Sequence, residues 1–110
     1  MKRVVVQYRV KPDHADRNAE LIRAVFEELG RTQPDGLGYA ALRLADGVTF
    51  IHITEEPEDG QSPLATLESA ERFRAGIAER FAEPASVQES SEVWSFRLFT
   101  SSSPTTETRP

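Results

Sequence analysis

Apolar residues recur with two different periods along the chain, and these periods predict strands and helices. β-Branched residues dominate 3–10, and Pro12 ends this first predicted strand because proline cannot donate a hydrogen bond to a sheet. From Leu21 to Leu29 apolar residues return every three or four positions, as on one face of a helix. The pattern therefore predicts a strand followed by a helix over about 13–31.

A tight turn at Asp46-Gly47 joins two further extended segments, 37–45 and 48–55. Asp-Gly between alternating segments is typical of a two-residue β-hairpin turn, which fixes how the two strands pair. This register pairs Ala45 with Val48, Arg43 with Phe50, Ala41 with His52 and Tyr39 with Thr54. The opposite face of the hairpin is aliphatic, and we expect it to pack under the helices: Leu42, Leu44, Ile51 and Ile53.

The second half of the chain adds one more helix and one more strand. A second helical pattern covers about 69–82, and strand-like alternation resumes over 87–99. The order β-α-β-β-α-β predicts an α+β, ferredoxin-like fold, an antiparallel four-stranded sheet with both helices on one face. Residues 1–100 are predicted to form one domain. Residues 101–110 offer no apolar side chain to the core, so we expect a disordered tail there.

One face of the predicted sheet is left without helices. The alternation places Val4, Val6, Val10, Trp94, Phe96 and Leu98 under the helices. The uncovered face then carries Val5, Gln7, Arg9, Tyr39, Arg43, Phe50, His52, Ser95 and Arg97. An exposed aromatic patch of this kind predicts cover by a second copy, a homodimer whose sheets form a dimeric α+β barrel around a cavity. The alternative is a cavity filled by side chains and closed to ligands.

Composition narrows the classes of function. The 110 residues carry a net charge of -5, which gives no basic surface for nucleic acid. The absence of Cys removes disulfides and thiolate metal ligands, and no apolar run approaches the length of a membrane span. No secretory signal pattern stands at the start of the sequence. We therefore expect a cytoplasmic protein that binds neither nucleic acid nor membrane.

Three stretches of the sequence resemble one protein family. They are VVVQYRVKP at 4–12, PDGLGYAALRLADGVTFIHI at 34–53 and FRAGIAERFAEPASVQESSEVWSF at 73–96. Together they resemble the antibiotic biosynthesis monooxygenase-like group of dimeric α+β barrel proteins. The resemblance implies cofactor-independent oxygenation of electron-rich aromatic substrates, in which the deprotonated substrate itself reduces O2. Heme degradation is not expected, because the second predicted helix contains no His to bind iron.

His52 and Tyr39 are the predicted catalytic residues. His52 is the side chain of the uncovered face that titrates nearest to neutral pH in model peptides, so it is a candidate general base. The alternative is a structural histidine that is hydrogen-bonded in a packed interface. Tyr39 is a candidate hydrogen-bond donor to a carbonyl or to reduced oxygen, or else a packing residue at the rim.

Arginine and aromatic side chains supply the predicted substrate contacts. These substrate-binding candidates are Gln7, Arg9, Arg43, Phe50 and Arg97. A guanidinium offers a fixed fork of donors to an anionic substrate, although ion pairs with carboxylates of the partner copy are the alternative. His14 and His52 lie on different predicted elements, so no metal-ligand spacing arises. We expect neither a metal nor an organic cofactor.

These features lead to one hypothesis and one alternative. The hypothesis is a small cofactor-independent monooxygenase-like protein, which acts on a small aromatic or polyketide-type substrate in a cavity between the sheet and the helices. The alternative is a non-catalytic, dimeric, small-molecule-binding or structural barrel protein. Whether the protein is an enzyme stays open at the level of the sequence.

Overall fold

A computed structural model describes residues 1–98 as one sheet with helices packed against it. The elements are β1 (Lys2–Arg9), α1 (Ala15–Thr32), β2 (Gly38–Arg43), β3 (Thr49–Glu56), α2 (Glu68–Ala75), α3 (Ile77–Arg80) and β4 (Ser86–Ser90). Short 3-10 turns at Pro12–His14 and Pro63–Thr66 precede α1 and α2. The predicted tail at 101–110 lies outside the described residues.

The sheet has the strand order β2-β3-β1-β4, and every neighbouring pair is antiparallel. This order is that of the ferredoxin-like fold, so the predicted architecture is confirmed. The central strands β1 and β3 pair Val6 with His52 and Tyr8 with Phe50. Residues that are directly opposite each other in an antiparallel pair share a face of the sheet.

The β2–β3 hairpin turns where the sequence predicted. Arg43 pairs with Phe50 and Tyr39 with Thr54, in the predicted register. Asp46 holds the turn, because its carboxylate accepts hydrogen bonds from the backbone N–H groups of Val48 and Thr49 and from the Thr49 hydroxyl. These bonds lower the pKa of Asp46. Gly47 adopts a φ of 80°, in the left-handed region that favours glycine.

The two faces of this hairpin are the reverse of those predicted. Phe50 and His52 are 2% and 7% exposed and lie under the helices. Leu42 and Leu44 are 37% and 39% exposed on the opposite face, which we call the open face. Ile51 pairs with Leu42 and therefore also lies there.

The pairing of β1 with β3 explains this correction. Val6 and Val10 pack in the core as predicted, and Val10 is almost fully buried. Because Val6 pairs with His52, both side chains must lie under the helices. The aliphatic character of Leu42 and Ile51 was the wrong criterion, since both faces of the hairpin carry apolar residues.

The helices differ from the prediction in one respect: the second is divided. α2 ends at Ala75, and Gly76 separates it from the single turn of α3. The N-terminus of α2 is capped from outside, because the Glu28 carboxylate of α1 accepts hydrogen bonds from the Ser69 N–H and hydroxyl. Such a cap satisfies donors that the helix itself leaves unpaired, and these bonds lower the pKa of Glu28.

The last predicted strand is shorter than 87–99. β4 ends at Ser90, which pairs with Arg3 one residue from the start of β1 at Lys2. Trp94, Phe96 and Leu98 are consequently not under the helices but 88%, 76% and 68% exposed.

Candidate functional site

A chain of polar side chains is buried between the sheet and the helices, with His52 at its centre. The Tyr8 hydroxyl lies 2.8 Å from Nε2 of His52, and the Tyr39 hydroxyl lies 2.7 Å from Nδ1. β1, β3 and β2 each supply one of these three rings, and the strand pairing brings them together. Both nitrogens of the imidazole are therefore hydrogen-bonded to phenols.

The chain continues into the helices beyond Tyr8. Asn18 of α1 donates from Nδ2 to the Tyr8 hydroxyl over 2.8 Å. Arg80 of α3 donates from Nε to Oδ1 of Asn18 over 2.9 Å, and from Nη2 to the carbonyl oxygen of Phe73 over 2.8 Å. Asn18 and Arg80 are both buried. The five side chains Arg80, Asn18, Tyr8, His52 and Tyr39 are called the polar chain below.

Aromatic rings surround the polar chain. Tyr8 stacks on Phe81 and Phe50, with ring centroids 4.1 Å and 5.6 Å apart. Phe73 lies 5.7 Å from the His52 ring, and the Arg80 guanidinium lies 4.7 Å from the Phe73 ring centroid, within the range of a cation–π contact. The polar chain thus crosses an apolar core in which an unpaired polar group would be costly.

Burial sets the protonation states of the three rings. Desolvation lowers the pKa of His52 from 6.5 to about 4, so the imidazole is neutral at physiological pH. Desolvation also raises the pKa of Tyr8 to about 12 and raises that of Tyr39. The site therefore presents a neutral imidazole between two neutral phenols.

Three of the other predicted site residues lie on the same face as His52. Phe50 packs in the core against Tyr8, so it does not belong to an exposed patch. Arg43 lies over the Phe50 ring at 5.5 Å and makes an exposed ion pair with Asp16 of α1 at 3.2 Å. Tyr39 stacks on Phe26 at 4.7 Å and belongs, like His52, to the helix side of the sheet.

The remaining predicted residues lie elsewhere. Gln7 and Arg9 stand at the far end of β1 and line a polar cleft of about 280 Å³. Arg9 makes an ion pair with Glu83 at 2.9 Å within the same chain. Arg97 follows β4, with its guanidinium 4.6 Å from the Phe96 ring. The structure therefore brings His52, Tyr39, Phe50 and Arg43 together, and it separates them from Gln7, Arg9 and Arg97.

A second cleft opens on the other side of the sheet. It has a volume of about 600 Å³ and lies between the open face and the segment 91–98. Ala40 and Ile53 form its floor, Trp94 and Leu98 its wall, and Arg3 its polar edge. Arg3 is paired there with Glu55.

Sequence reasoning missed three members of the polar chain: Tyr8, Asn18 and Arg80. A signal was present for the two helical residues, because Asn18 lies three and four positions before Leu21 and Ile22, on the apolar face of α1. Arg80 likewise stands among apolar residues, between Ile77 and Phe81. A polar side chain on a buried helix face requires a partner, and that requirement predicts a buried network.

Comparison with known proteins identifies the fold. No family model matches the chain, and no curated protein sequence matches it either. A solved structure of an antibiotic biosynthesis monooxygenase superposes with a TM-score of 0.67 at 24% identity, covering 84% of this chain and 99% of that one. A Nitrosomonas europaea protein named as a candidate member of the same class gives 0.69 at 19% identity, covering 84% and 90%.

Further structures agree with this result. A Caulobacter crescentus protein, also named as a candidate antibiotic biosynthesis monooxygenase, gives a TM-score of 0.66 at 16% identity, covering 84% of this chain and 90% of that one. The resemblance inferred from the sequence is thus confirmed at the level of the fold, which is the ferredoxin-like α+β fold of antibiotic biosynthesis monooxygenase structures.

Residues 1–98 lack two further kinds of feature. No helix in this part of the chain is long and apolar enough to cross a membrane. No group of three or more His, Asp or Glu side chains there is placed to hold a metal ion.

Proposed function

We propose that this protein is a cofactor-independent monooxygenase that acts on a small phenolic or polyketide-type aromatic substrate between the sheet and the helices. The observation that carries the proposal is the buried His52 ring, which is hydrogen-bonded to Tyr8 and Tyr39 among aromatic side chains. The fold shared with structures named antibiotic biosynthesis monooxygenase supports the same class of reaction.

The proposed reaction converts a CH2 group of the substrate into a carbonyl. The substrate loses a proton, and its carbanion transfers one electron to O2 and then combines with the superoxide to form a C–O bond. Protonation gives a hydroperoxide. Loss of the second hydrogen from the same carbon breaks the O–O bond and releases water. One O2 is consumed for each carbonyl and each water formed, and no external reductant is needed.

His52 and Tyr39 serve the proton transfers in this proposal. Tyr39 is the less buried of the two phenols, so it is the group that contacts the ionisable oxygen of the substrate. Tyr39 protonates the peroxide oxygen, and His52, which lies directly behind it at 2.7 Å, returns a proton to the Tyr39 oxygen through this hydrogen bond. Phe50 belongs to the aromatic wall, and Arg43, whose guanidinium lies over the Phe50 ring at the edge of the same face, is the proposed contact for an anionic substrate.

A substrate that reaches Tyr39 must displace part of its present packing. Tyr39 lies against a cluster formed by Val25, Leu67 and Ala70, and Leu64 packs on the same cluster. Leu64 belongs to the turn Pro63–Thr66, which follows an exposed loop at 57–61. We propose that the substrate reaches Tyr39 from the side of the fold on which the Pro63–Thr66 turn lies.

We also propose a homodimer formed through the open face. This face is aliphatic where β2 and β3 meet, with Leu42 and Leu44 more than one-third exposed. Trp94 and Phe96 add exposed aromatic surface just beyond β4. A second copy is the usual cover for such a surface on a small domain. Gln7 and Arg9 lie on the part of this face that β1 supplies, since Gln7 pairs with Ile51, and would then be near the interface.

The experiment that tests the proposed function is O2 consumption with a panel of hydroxylated aromatics, each of which carries a CH2 group next to its phenol-bearing ring. The wild type should consume O2 with at least one member of the panel. Tyr39→Phe keeps the ring stacked on Phe26 but removes the hydroxyl, and it should lower turnover by about 10²–10⁴-fold. His52→Gln should have an effect of the same order.

A matched control separates this loss from general damage. Arg23→Gln removes an exposed ion pair with Glu20 on α1, away from the polar chain, and should retain wild-type turnover. Turnover that is unchanged in Tyr39→Phe and His52→Gln would contradict the assignment of these residues. Saturable binding of panel compounds without any O2 consumption would instead support a binding protein.

A further inference from the structure

The orientation of the Asn18 amide is fixed by its neighbour Arg80. An arginine side chain can only donate hydrogen bonds, so the Asn18 atom that faces Nε of Arg80 must be the carbonyl oxygen. The amide nitrogen consequently faces the Tyr8 hydroxyl, to which it can only donate. Arg80 also donates to the Phe73 carbonyl oxygen and is buried, so its guanidinium has a fixed position.

The Tyr8 hydroxyl must then donate its own hydrogen to His52. Its oxygen already accepts a hydrogen bond from Asn18, and within residues 1–98 the acceptor in contact with the hydroxyl is Nε2 of His52 at 2.8 Å. Tyr8 is only 4% exposed, so bulk solvent does not reach this hydroxyl. The opposite arrangement, in which Nε2 donates to Tyr8, would bury a hydroxyl hydrogen without a partner.

The position of the His52 proton follows from this direction. We infer that Arg80 and Asn18 are positioning residues that hold His52 as the Nδ1–H tautomer, so that Tyr39 accepts from His52 and points its own O–H hydrogen toward the ligand. All hydrogen bonds of the polar chain then run outward from the Arg80 cation to Tyr39. The tautomer of a histidine is generally set in this way, by the bond that its other nitrogen makes.

The donor-to-acceptor direction of these hydrogen bonds defines which chemical groups of a ligand Tyr39 can bind. This consequence rests on the proposed function. Tyr39 meets the ligand as a donor backed by the Nδ1–H of His52. It therefore favours a group that accepts a hydrogen bond, either a phenolate or enolate oxygen or a carbonyl, over a neutral hydroxyl that must donate. The resting site stabilises an ionised substrate and does not offer His52 as a free base.

The test is the tautomer itself, measured by 15N NMR of the imidazole nitrogens at neutral pH. A His14→Gln background removes the other histidine of the chain, so that His52 alone gives imidazole signals. A protonated nitrogen and an unprotonated nitrogen have well separated 15N shifts. The expected spectrum has the proton on Nδ1, with the Nδ1–H tautomer in excess by about tenfold or more.

Asn18→Asp should reverse the tautomer. The new carboxylate accepts from Arg80 and also from the Tyr8 hydroxyl, so the Tyr8 oxygen becomes free to accept from Nε2–H. Nδ1 then accepts from Tyr39, and the Nε2–H tautomer should predominate. Gln61→Glu adds the same charge in an exposed loop and should leave the Nδ1–H tautomer unchanged.

Two results would overturn the inference. One is an Nε2–H tautomer in the protein with the native Asn18; the other is an Nδ1–H tautomer that persists in a folded Asn18→Asp variant. Should Asn18→Asp not fold, Asn18→Ala provides the second measurement, because without the amide donor the Nε2–H form should become populated. A pure Nδ1–H spectrum of Asn18→Ala would contradict the role of Asn18. None of these measurements depends on enzymatic activity, so failure of the proposed function leaves them readable.

Discussion

Acidification should destabilise the protein through His52 in a way that can be calculated from its burial. In the folded state desolvation holds the pKa of His52 at about 4, against 6.5 in the unfolded chain. Between these two values the unfolded chain binds a proton that the folded protein does not. The free energy of unfolding must therefore fall as the pH is lowered through this window and stay constant above it.

The free energy of unfolding that acidification removes through His52 is a large part of the stability of a domain of this size. The difference between a pKa of 6.5 and one of about 4 lowers the free energy of unfolding by about 3 kcal/mol at low pH. Most of this free energy is lost by pH 4.5. Urea unfolding followed by far-UV circular dichroism, from pH 7.5 to pH 4.5 at one protein concentration, measures this loss. The pKa values of Glu28 and Asp46 are lowered from 4.5 and 3.8, so both carboxylates keep their hydrogen bonds in the folded protein down to pH 4.5. The contribution of His52 is obtained as a difference between variants.

His52→Gln is the variant for this comparison, because an amide keeps a polar group beside Tyr8 but does not titrate. It should be less stable than the wild type at pH 7.5 and should lose about 2–3 kcal/mol less on going to pH 4.5. His14→Gln is the matched control, since the His14 side chain is 37% exposed. Its free energy of unfolding should fall between pH 7.5 and pH 4.5 by as much as that of the wild type. Parallel pH dependences of the wild type and His52→Gln would refute the reasoning, because the imidazole would then protonate equally in both states.

Four further predictions follow from the fold. Phe50→Ala should lower the free energy of unfolding by about 3–5 kcal/mol in urea titrations, because Phe50 lies in the core; a loss below 1 kcal/mol would contradict its burial. Leu42→Asp should shift the wild-type dimer to monomer in light scattering, and a wild-type monomer at micromolar concentration would exclude the dimer. Gly76→Ala should lower the melting temperature, because its Cβ would lie 2.7 Å from Nη1 of Arg80, and an unchanged value would show that Arg80 can move. Deletion of 101–110 should leave the melting temperature unchanged, since the segment brings no apolar side chain to the core, and a drop of several degrees would show that it packs.

Much of the fold could be predicted because it depends on local signals. The period of the apolar residues predicts each helix, and Asp46-Gly47 predicts the hairpin register that the structure has. The division of the second helix at Gly76 has no comparable periodic signal, since the apolar pattern runs through it. β4 ends at Ser90, opposite Arg3 near the start of β1, so the length of its pairing depends on a strand that is distant in sequence.

The face of the hairpin could have been predicted from non-local pairing. The residue patterns predict Val6 under the helices and His52 on the other side, although in a ferredoxin-like sheet their strands are neighbours. The polar chain depends on more distant contacts. Arg80 and Asn18 are 62 residues apart in sequence, and no local pattern says which buried donor meets which acceptor.

The measurement that tests the proposed function most directly is incorporation of 18O from 18O2 into the product, in chelator-treated protein and with a substrate chosen from the hydroxylated aromatics. The mechanism predicts one labelled oxygen in each new carbonyl, with one O2 consumed per product and with both quantities reduced together in Tyr39→Phe. A wild-type protein that forms no labelled product from any member of the panel would contradict the account.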